Sequence, residues 1–485
     1  MYRWTDSGIA DMVRAMAPQI SALSTESNSP QGFGLMVIVV AYLLANLLLW
    51  FVVEEADRYK HAGDGSSWYQ AAAETYKHGI ITGPERPGEP DVYRPPAYTL
   101  FGAALSYLAG GTTPGLLAIG QIAILLAAGL FFRDTVDARL PGYGNTGMAL
   151  LLFNPNTLST AQYTQSDILF LFFLTVGFWA VIRYANDQAK FGMALVTGIA
   201  VALACLTRPT AQFIVPALPI AFALILAVSG RGGQWLKGLM HGSLATVLAL
   251  AIMAPWIANV KAIDGQYGLS AVESRHRYIW DQITMVEAQS TGKSYHQAAD
   301  NLNEVQAKMA EEYGPEWRTL KREQQRVYLL QRGYSHLLAY PAADLLTAYA
   351  RSWIQFFGAA GAGRWHNLFQ VSGNMEEIWF TTKQSDVWGM VTAFVKSAPL
   401  GAVAISAVCL LFVIIMRLFG LLGLVALAKR REYDMLLILT LLITYFAMVH
   451  LFVGNSRYRI AVEPALILLS LYGWKFVRQR KSADP

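Results

Sequence analysis

The chain has 485 residues, of which 54% are apolar and only 15% are charged, against about 25% in a typical soluble domain. Its mean hydropathy of +0.34 excludes a disordered chain and argues against a soluble enzyme of this length. The net charge is only +5, and no basic cluster interleaved with aromatics points to nucleic acid as a partner. Cys205 and Cys409 each lie within an apolar run, which indicates neither a disulfide framework nor a metal site. These features predict an all-α polytopic membrane protein.

Ten apolar stretches are long enough to cross a bilayer as helices, because lipid offers the backbone no hydrogen-bond partner. In chain order they are Phe33–Val53, Gly115–Phe132, Thr146–Ala161, Ile168–Ile182, Phe191–Leu206, Ala211–Val228, Leu236–Ile257, Ala402–Leu427, Met435–Val453 and Ile460–Val477. A further stretch, Ala97–Ala109, is short and ends in a Gly-Gly-Thr-Thr-Pro turn. It fits a half-helix at the membrane interface better than a crossing.

The Lys and Arg residues predict the orientation of these spans. With both termini inside, the inner segments carry 15 basic residues and the short outer loops carry 8. The polar first segment shows no cleavable signal peptide, and its Ile9–Leu23 stretch fits an amphipathic helix or a disordered tail. The predicted divisions are a cytoplasmic segment 1–32, a transmembrane module 33–258 with its first outer loop at 54–96, a large outer region 259–396, carboxyl-terminal transmembrane helices 397–478 and a cytoplasmic tail 479–485.

The large outer region 259–396 holds 14 of the 33 acidic residues. A polar helical stretch, Ser294–Arg332, is followed by an apolar and aromatic stretch, Gly333–Phe357, of the kind found in interfacial helices. Any chemistry is therefore expected on the outer face, in this region and the first outer loop.

Two aspartates at the outer surface are candidate catalytic residues. Asp64 follows the first span between two glycines, where a surface turn or a helix N-cap would be the structural alternative. Asp167 sits where the third and fourth spans meet, and a carboxylate at a span boundary is a functional candidate, with an N-cap as the alternative. Asp57 is a rival to Asp64 because it too precedes an aromatic residue in the first outer loop.

Four arginines fall at the same surface in this topology. They are Arg94, Arg208, Arg457 and Arg459. Guanidinium groups bind phosphate through paired, charge-assisted hydrogen bonds, so these side chains suit an anion whose apolar tail lies in the bilayer. A lipid phosphate has that chemistry.

The order of these motifs resembles the polyprenyl-phosphate-sugar-dependent transferases of the GT-C fold, the superfamily of the protein O-mannosyltransferases and lipid A aminoarabinose transferases. The resemblance covers residues 35–260 and 430–477. Its motifs are Asp64 with Tyr69, Arg94-Pro95-Pro96-Ala97-Tyr98, Gln165-Ser166-Asp167, Leu206-Thr207-Arg208-Pro209, and Arg457-Tyr458-Arg459 through Pro464. Gly65 follows Asp64 where relatives often have Glu, and Arg94 stands where some relatives have Lys.

The resemblance implies a GT-C-like bundle of about 10–12 transmembrane helices and an inverting transfer of a sugar from a polyprenyl phosphate. The acceptor would be a lipid, glycan or protein of the cell envelope. Asp64 would be the general base, while Asp167 would hold the acceptor or orient Asp64. The substrate-binding residues would be Tyr69, Arg94, Tyr98, Arg208, Arg457 and Arg459.

No cofactor is demanded, although some relatives in the wider fold bind a divalent cation beside their acidic pair. The location that fits best is a bacterial inner membrane, with the active site on the periplasmic side. Other possible functions are a ligase or polymerase of lipid-linked oligosaccharides, a transporter, and a non-enzymatic membrane scaffold. A transporter should show inverted repeats and substrate groups near the midplane, whereas the acidic candidates here cluster at one face.

Overall fold

The computed structural model describes residues 30–60, 65–186, 189–229, 232–371 and 386–481. These ranges contain helices and no strand, with one isolated antiparallel bridge between Thr82 and Pro90. The predicted Ile9–Leu23 helix and Asp64 lie outside the described residues. The α-helices are α1 Pro30–Val52, α2 Asp57–Lys60, α3 Gly65–His78, α4 Pro96–Ala109, α5 Pro114–Asp137, α6 Gly144–Leu152, α7 Pro155–Ala161, α8 Asp167–Asn186, α9 Phe191–Cys205, α10 Ile214–Val228, α11 Trp235–Asp264, α12 Val272–Ser290, α13 Tyr295–Tyr313, α14 Arg322–Leu338, α15 Ala342–Gly358, α16 Ala362–Leu368, α17 Val387–Ser397, α18 Leu400–Arg430, α19 Tyr433–Val449, α20 Ser456–Arg459 and α21 Glu463–Lys481.

Seven helical stretches in the described ranges have the length and apolar composition needed to cross a membrane. They are Gly34–Val52, Pro114–Asp137, Asp167–Asn186, Pro209–Val228, Trp235–Asp264, Leu400–Arg430 and Ser456–Gln479. Two shorter apolar helices, α9 and α19, bring the total to nine of the ten predicted crossings. The chain is a multi-pass, all-helical membrane protein, and the predicted fold class is confirmed.

The prediction of one continuous crossing at Thr146–Ala161 was wrong. The stretch is divided into α6 and α7 at Asn154, whose backbone is extended (φ −59°, ψ 123°). Pro155 explains the break, because proline lacks an N–H and disfavours a helical conformation in the residue before it. The Asn154 side chain instead accepts a hydrogen bond from the backbone N–H of Asn156 and caps α7.

Helices α18 and α21 pack closely along much of their length. A Cβ atom on Gly423 would overlap the Leu469 carbonyl oxygen, and one on Gly473 would overlap the Phe419 carbonyl oxygen. Small residues let membrane helices approach to van der Waals contact of their backbones, which is the main source of their association in lipid. This pair therefore holds the carboxyl-terminal part of the bundle together.

The first outer loop is fastened to two other parts of the chain. The Val92 carbonyl accepts a hydrogen bond from the N–H of Ala271 (2.8 Å), immediately before α12. The Ala97 N–H donates to the Leu206 carbonyl (2.9 Å), immediately after α9. These bonds place Arg94, which lies between them, beside both the 206–209 hairpin and the outer region.

The outer region forms a small helical unit with its own apolar core. Helix α12 packs on α13, α14 and α15, and it contributes Trp280, Ile283 and Val286 to that core. The stretch Gly333–Phe357 is not one helix, since α14 ends at Leu338 and Pro341 precedes the first residue of α15. The opposite face of α12 is left to line the cavity described next.

Candidate active site

A cavity of about 860 Å³ opens where the first outer loop, the 206–213 hairpin, α12 and the segment from the end of α19 to α20 meet. We call it the central cavity. Among the described residues, five arginines and one acidic residue, Asp281, contribute to its walls. The arginines are Arg94, Arg208, Arg275, Arg277 and Arg457. This excess of positive charge suits an anionic ligand.

Asp167, which does not itself line the cavity, binds two of these arginines. Its side chain is almost fully buried at the first residue of α8. One carboxylate oxygen accepts a hydrogen bond from Arg208 Nη1, and the other accepts from Arg457 Nε at 3.0 Å. Both guanidinium groups keep part of their surface exposed, at 15% and 20% of the side chain. The carboxylate therefore fixes two cations that still face the cavity.

Local backbone geometry explains how the two arginines reach Asp167. Arg208 follows the end of α9 in an extended conformation (φ −146°, ψ 127°), and Pro209 then starts a short 3-10 turn. Arg457 lies in α20, which is capped by the Asn455 side chain accepting from the Tyr458 N–H at 3.1 Å. Both side chains thus come from tight turns at the ends of apolar helices.

Arg94 reaches the same cavity from the first outer loop. Its guanidinium donates to the Ser67 hydroxyl and lies 4.7 Å from the centre of the Trp68 ring and 5.1 Å from that of Tyr93. Cation–π contacts of this kind hold a guanidinium in place without removing its positive charge. Three predicted substrate-binding arginines, Arg94, Arg208 and Arg457, therefore line one cavity.

A fourth cation lies behind this group. Arg364 in α16 donates from Nη1 to the Asn156 side-chain oxygen at 3.0 Å. Burial lowers the pKa of Arg364 to about 10, and the nearby positive charges of Arg457 and Arg208 act in the same direction while Asp167 opposes them. The guanidinium remains protonated at neutral pH and adds to the positive potential around Asp167.

Three predicted binding residues do not line the central cavity. Tyr98 is fully buried and packs edge-on against Trp68, so it supports a cavity residue from behind. Tyr69 stacks on Tyr59 and donates from its hydroxyl to the Thr112 carbonyl at 3.4 Å. The structure gives both rings packing contacts with other parts of the first outer loop and the α4–α5 connection.

Arg459 also lies outside the cavity, and its side chain is fully buried. Its guanidinium binds the Glu463 carboxylate at 2.7 Å and donates to the carbonyls of Phe356 and Ala359, both at 2.8 Å. Arg417 approaches the same carboxylate at 3.8 Å. These contacts join α15, α18 and α21, and they leave Arg459 no surface for direct contact with a substrate.

The two candidate bases stand differently in the structure. Asp64 falls in residues 61–64, outside the described ranges. Three residues later, Ser67 accepts a hydrogen bond from the cavity residue Arg94, and Trp68 lines the cavity itself. Asp57 is described, is 6% exposed, and accepts a hydrogen bond from Gln370 at 2.8 Å. It does not line the central cavity.

The sequence reasoning missed several cavity residues. Tyr458 stacks in parallel on His450 with ring centres 4.0 Å apart, and the Arg208 guanidinium lies over the Tyr458 ring, 5.9 Å from its centre. Tyr278 donates to the Val449 carbonyl at 2.7 Å. Asp281 was also missed, although its spacing from Ser274, Arg277 and Tyr278 indicates that the four residues share one face of a helix.

Among the described residues no group of three or more His, Cys, Asp or Glu side chains comes together as a metal site. The acidic pair of the resemblance includes Asp64, which those residues do not contain.

Comparison with known proteins supports the predicted relationship. Residues 118–264, a stretch that includes Asp167 and Arg208, match the family model of dolichyl-phosphate-mannose-protein mannosyltransferase. The resemblance inferred from the motifs is confirmed by this match. No curated protein sequence gives a significant match to the chain.

Solved structures show the same fold at low sequence identity. The apo oligosaccharyltransferase of Archaeoglobus fulgidus matches 94% of this chain and 52% of its own, with a TM-score of 0.51 and 14% identity. AglB from the same organism, in complex with an inhibitory peptide and a dolichol-phosphate, matches 92% and 50%, with a TM-score of 0.49 and 14% identity. ArnT from Cupriavidus metallidurans bound to undecaprenyl phosphate matches 90% and 77%, with a TM-score of 0.41 and 13% identity.

The chain spans about half the length of the archaeal oligosaccharyltransferase that it matches. At this identity the likeness establishes a shared GT-C fold. The family match and the fold agree with the predicted enzyme class, the glycosyltransferases that use a lipid-linked sugar.

Proposed function

We propose that this chain is an integral-membrane glycosyltransferase that transfers a sugar from a polyprenyl phosphate to an acceptor of the cell envelope. The observation that carries the proposal is the arrangement of Arg94, Arg208 and Arg457 around one cavity, with Asp167 holding two of them. Three cations at the outer ends of apolar helices are well placed to bind a phosphate whose lipid chain remains in the bilayer.

The reaction we propose is a single displacement with inversion at the anomeric carbon. The acceptor oxygen attacks this carbon, its bond to the phosphate oxygen breaks, and polyprenyl phosphate leaves as an anion. Arg94, Arg208 and Arg457 would stabilise the negative charge that grows on that oxygen in the transition state. No general acid is needed, because the leaving phosphate is a stable anion.

The acceptor hydroxyl is a poor nucleophile, so the reaction needs a positioned base. We assign this role to Asp64, which would take the hydroxyl proton and accelerate the reaction by roughly 10²–10⁴-fold. Support comes from the motif and from the position of the following helix turn, where Ser67 contacts Arg94 and Trp68 lines the cavity. Asp167 would act as a positioning residue for Arg208 and Arg457, a role other than the one expected from the motif.

The test is transfer of label from a panel of radiolabelled polyprenyl-phosphate sugars by purified protein, with envelope lipids, glycans and peptides as acceptors. Wild type should transfer one of the sugars, whereas Asp64→Asn should retain less than about 1% of that rate. Asp300→Asn is a matched control, because Asp300 is an exposed aspartate on α13 that does not line the central cavity.

Two results would contradict parts of this assignment. Turnover of Asp64→Asn near the wild-type rate would remove Asp64 as the base and make Asp57 the next variant to measure. Transfer from oligosaccharide diphosphate lipids, with none from monosaccharide phosphate lipids, would replace the proposed reaction with that of an oligosaccharide ligase.

We further propose that the protein resides in a bacterial inner membrane with both termini in the cytoplasm and the central cavity on the periplasmic side. The predicted excess of Lys and Arg on the inner segments supports this orientation.

A further inference from the structure

Helix α12 has two chemically different faces. Ser274, Arg277, Tyr278 and Asp281 follow the spacing i, i+3, i+4 and i+7, which places them on one side of the helix. All four line the central cavity. Ile283 and Val286, on the other side, are fully buried in the core of the outer region. We call the first set the polar face of α12.

Asp281 is the unusual member of this face. Of the described residues that line the cavity, it is the one acidic residue beside five arginines. Within the described ranges its carboxylate makes no hydrogen bond and no salt bridge, and burial raises its pKa to about 6 although the charge of Arg277 opposes the shift. A half-buried carboxylate without partners is costly to keep. A ligand with hydroxyl groups would supply the missing donors.

The other groups nearby have matching chemistry. Arg277 supplies guanidinium donors, and Ser270, Ser274 and Tyr334 add hydroxyl groups to the same wall. Tyr278 contributes an aromatic ring whose hydroxyl is already bonded to the Val449 carbonyl, so the ring is held in one position. Carboxylate, guanidinium and hydroxyl groups together complement a ring of alternating hydroxyl donors and acceptors, and an aromatic face packs against its C–H groups.

We propose that the polar face of α12 binds the hydroxyl groups of the transferred sugar, with Asp281 as their principal hydrogen-bond acceptor. This inference rests on the proposed function, because a sugar joined to a phosphate held by Arg208 and Arg457 must occupy the same cavity. It makes α12, in the region where the motifs of the resemblance give no residues, a determinant of which sugar is accepted.

The experiment measures binding of two kinds of lipid to purified full-length protein. One is bare polyprenyl phosphate, and the other is the same lipid carrying mannose, glucose, galactose or arabinose. Asp281→Asn should weaken binding of the best sugar-carrying lipid by about 10- to 100-fold, the loss expected for hydrogen bonds to a charged acceptor, and leave the bare lipid unchanged. Ser274→Ala should weaken it by a few-fold, and Asp300→Asn should change neither lipid.

Two outcomes would overturn the inference. Equal loss of both lipids in Asp281→Asn would show a general structural effect. Unchanged binding of both would show that Asp281 does not contact the sugar. In either case the bare lipid still binds wild type and the proposed function stands, whereas a wild-type protein that binds neither lipid would contradict the proposed function itself.

Discussion

Arg457 and Arg459 are separated by one residue, yet they have different surroundings. Arg457 shares Asp167 with Arg208 and keeps part of its guanidinium in the central cavity. Arg459 points to the other side of the turn, where it binds Glu463 and three backbone carbonyls in a fully buried site. A buried guanidinium with this many acceptors stabilises the packing of helices, whereas an exposed one is available to a ligand.

Substitution of these two arginines should therefore separate binding from stability. We expect Arg457→Gln to weaken binding of polyprenyl phosphate by about tenfold or more and to lower stability less than Arg459→Gln does, because Asp167 keeps its direct hydrogen bond to Arg208. Arg459→Gln should instead lower stability by about 3–5 kcal/mol, because it removes the closest charged partner of the buried Glu463 carboxylate, whose distance to Arg417 is 3.8 Å. Lipid-binding titrations and thermal unfolding in detergent measure both. Equal loss of stability in the two variants would contradict the distinction.

The stability of the protein should also depend on the ionisation of Asp281. Its pKa of about 6 in the folded state exceeds the value near 3.9 expected for an unfolded chain. The stability that this group contributes is thus complete below about pH 4 and is lost as the pH rises through 6. The neighbouring Tyr295 does not change its charge over the same range, since burial raises its pKa to about 12.

Asp281→Asn should accordingly be more stable than wild type at pH 8, by at most about 3 kcal/mol, and the difference should vanish towards pH 4. Thermal unfolding of both proteins across this pH range is the measurement. A constant difference at all pH values would mean that the effect of the substitution comes from packing and not from charge.

The placement of single residues near the cavity was predictable where a sequence motif specified it. It was not predictable where it depends on contacts between segments far apart in the chain. The motifs predicted Arg94, Arg208 and Arg457, because each stands beside a proline or a turn at the end of an apolar run. They did not separate Arg457 from Arg459, since burial of one and not the other depends on where α15 packs. The partners of Asp167 lie 41 and 290 residues away along the chain, and no local pattern reveals such contacts.

At the level of helices, close approach of backbones is the feature with the clearest consequence. Gly473→Ala should destabilise the protein by about 1–3 kcal/mol, because the new methyl group overlaps the Phe419 carbonyl and forces α18 and α21 apart. Gly192→Ala is the control: nothing lies within 4 Å of its Cβ position in α9, so the change should be neutral or slightly stabilising.

Thermal unfolding of the two glycine variants decides this point. Similar unfolding temperatures for Gly473→Ala and wild type would mean that the two helices can separate at little cost.

Helix positions were predictable from hydropathy, but a proline did not always reveal a helix end. The break at Asn154 was missed although Pro155 follows it, because the residues on both sides are apolar enough to be interpreted as one span. The cavity-facing side of helix α12 was not predicted, for the opposite reason. Its residues are mixed in polarity, and only the i, i+3, i+4, i+7 spacing reveals which side meets the cavity.

The whole molecule can be tested for its orientation in the membrane. Cys205 and Cys409 are both buried, so wild type should react slowly with a membrane-impermeant maleimide. Asp300→Cys on α13 should be labelled from the periplasmic side of intact cells. Lys429→Cys, exposed near the end of α18, should be labelled only after the membrane has been permeabilised. Labelling of Lys429→Cys in intact cells would reverse the proposed orientation.

Nine of the ten predicted crossings have counterparts in the described residues, and the general fold followed from composition, because the bilayer restricts a chain to helices of a certain length. The shape of the outer region did not follow, since its helices are specified by contacts with one another and with the bundle. The placement of the first outer loop by Val92 and Ala97 is an example: two backbone hydrogen bonds to distant segments decide where Arg94 lies.

The bridge from Arg208 through Asp167 to Arg457 has a consequence for synthesis. A ribosome adding roughly 5–20 residues per second needs about 15–60 s to pass from Asp167 to Arg457. Once residue 264 has been made, the nascent chain has its first outer loop and six of the nine crossing helices of the described residues, but Asp167 has only one of its two guanidinium partners. The bridge is therefore completed late in translation, so a ribosome that stalls earlier leaves a membrane-inserted fragment that lacks it.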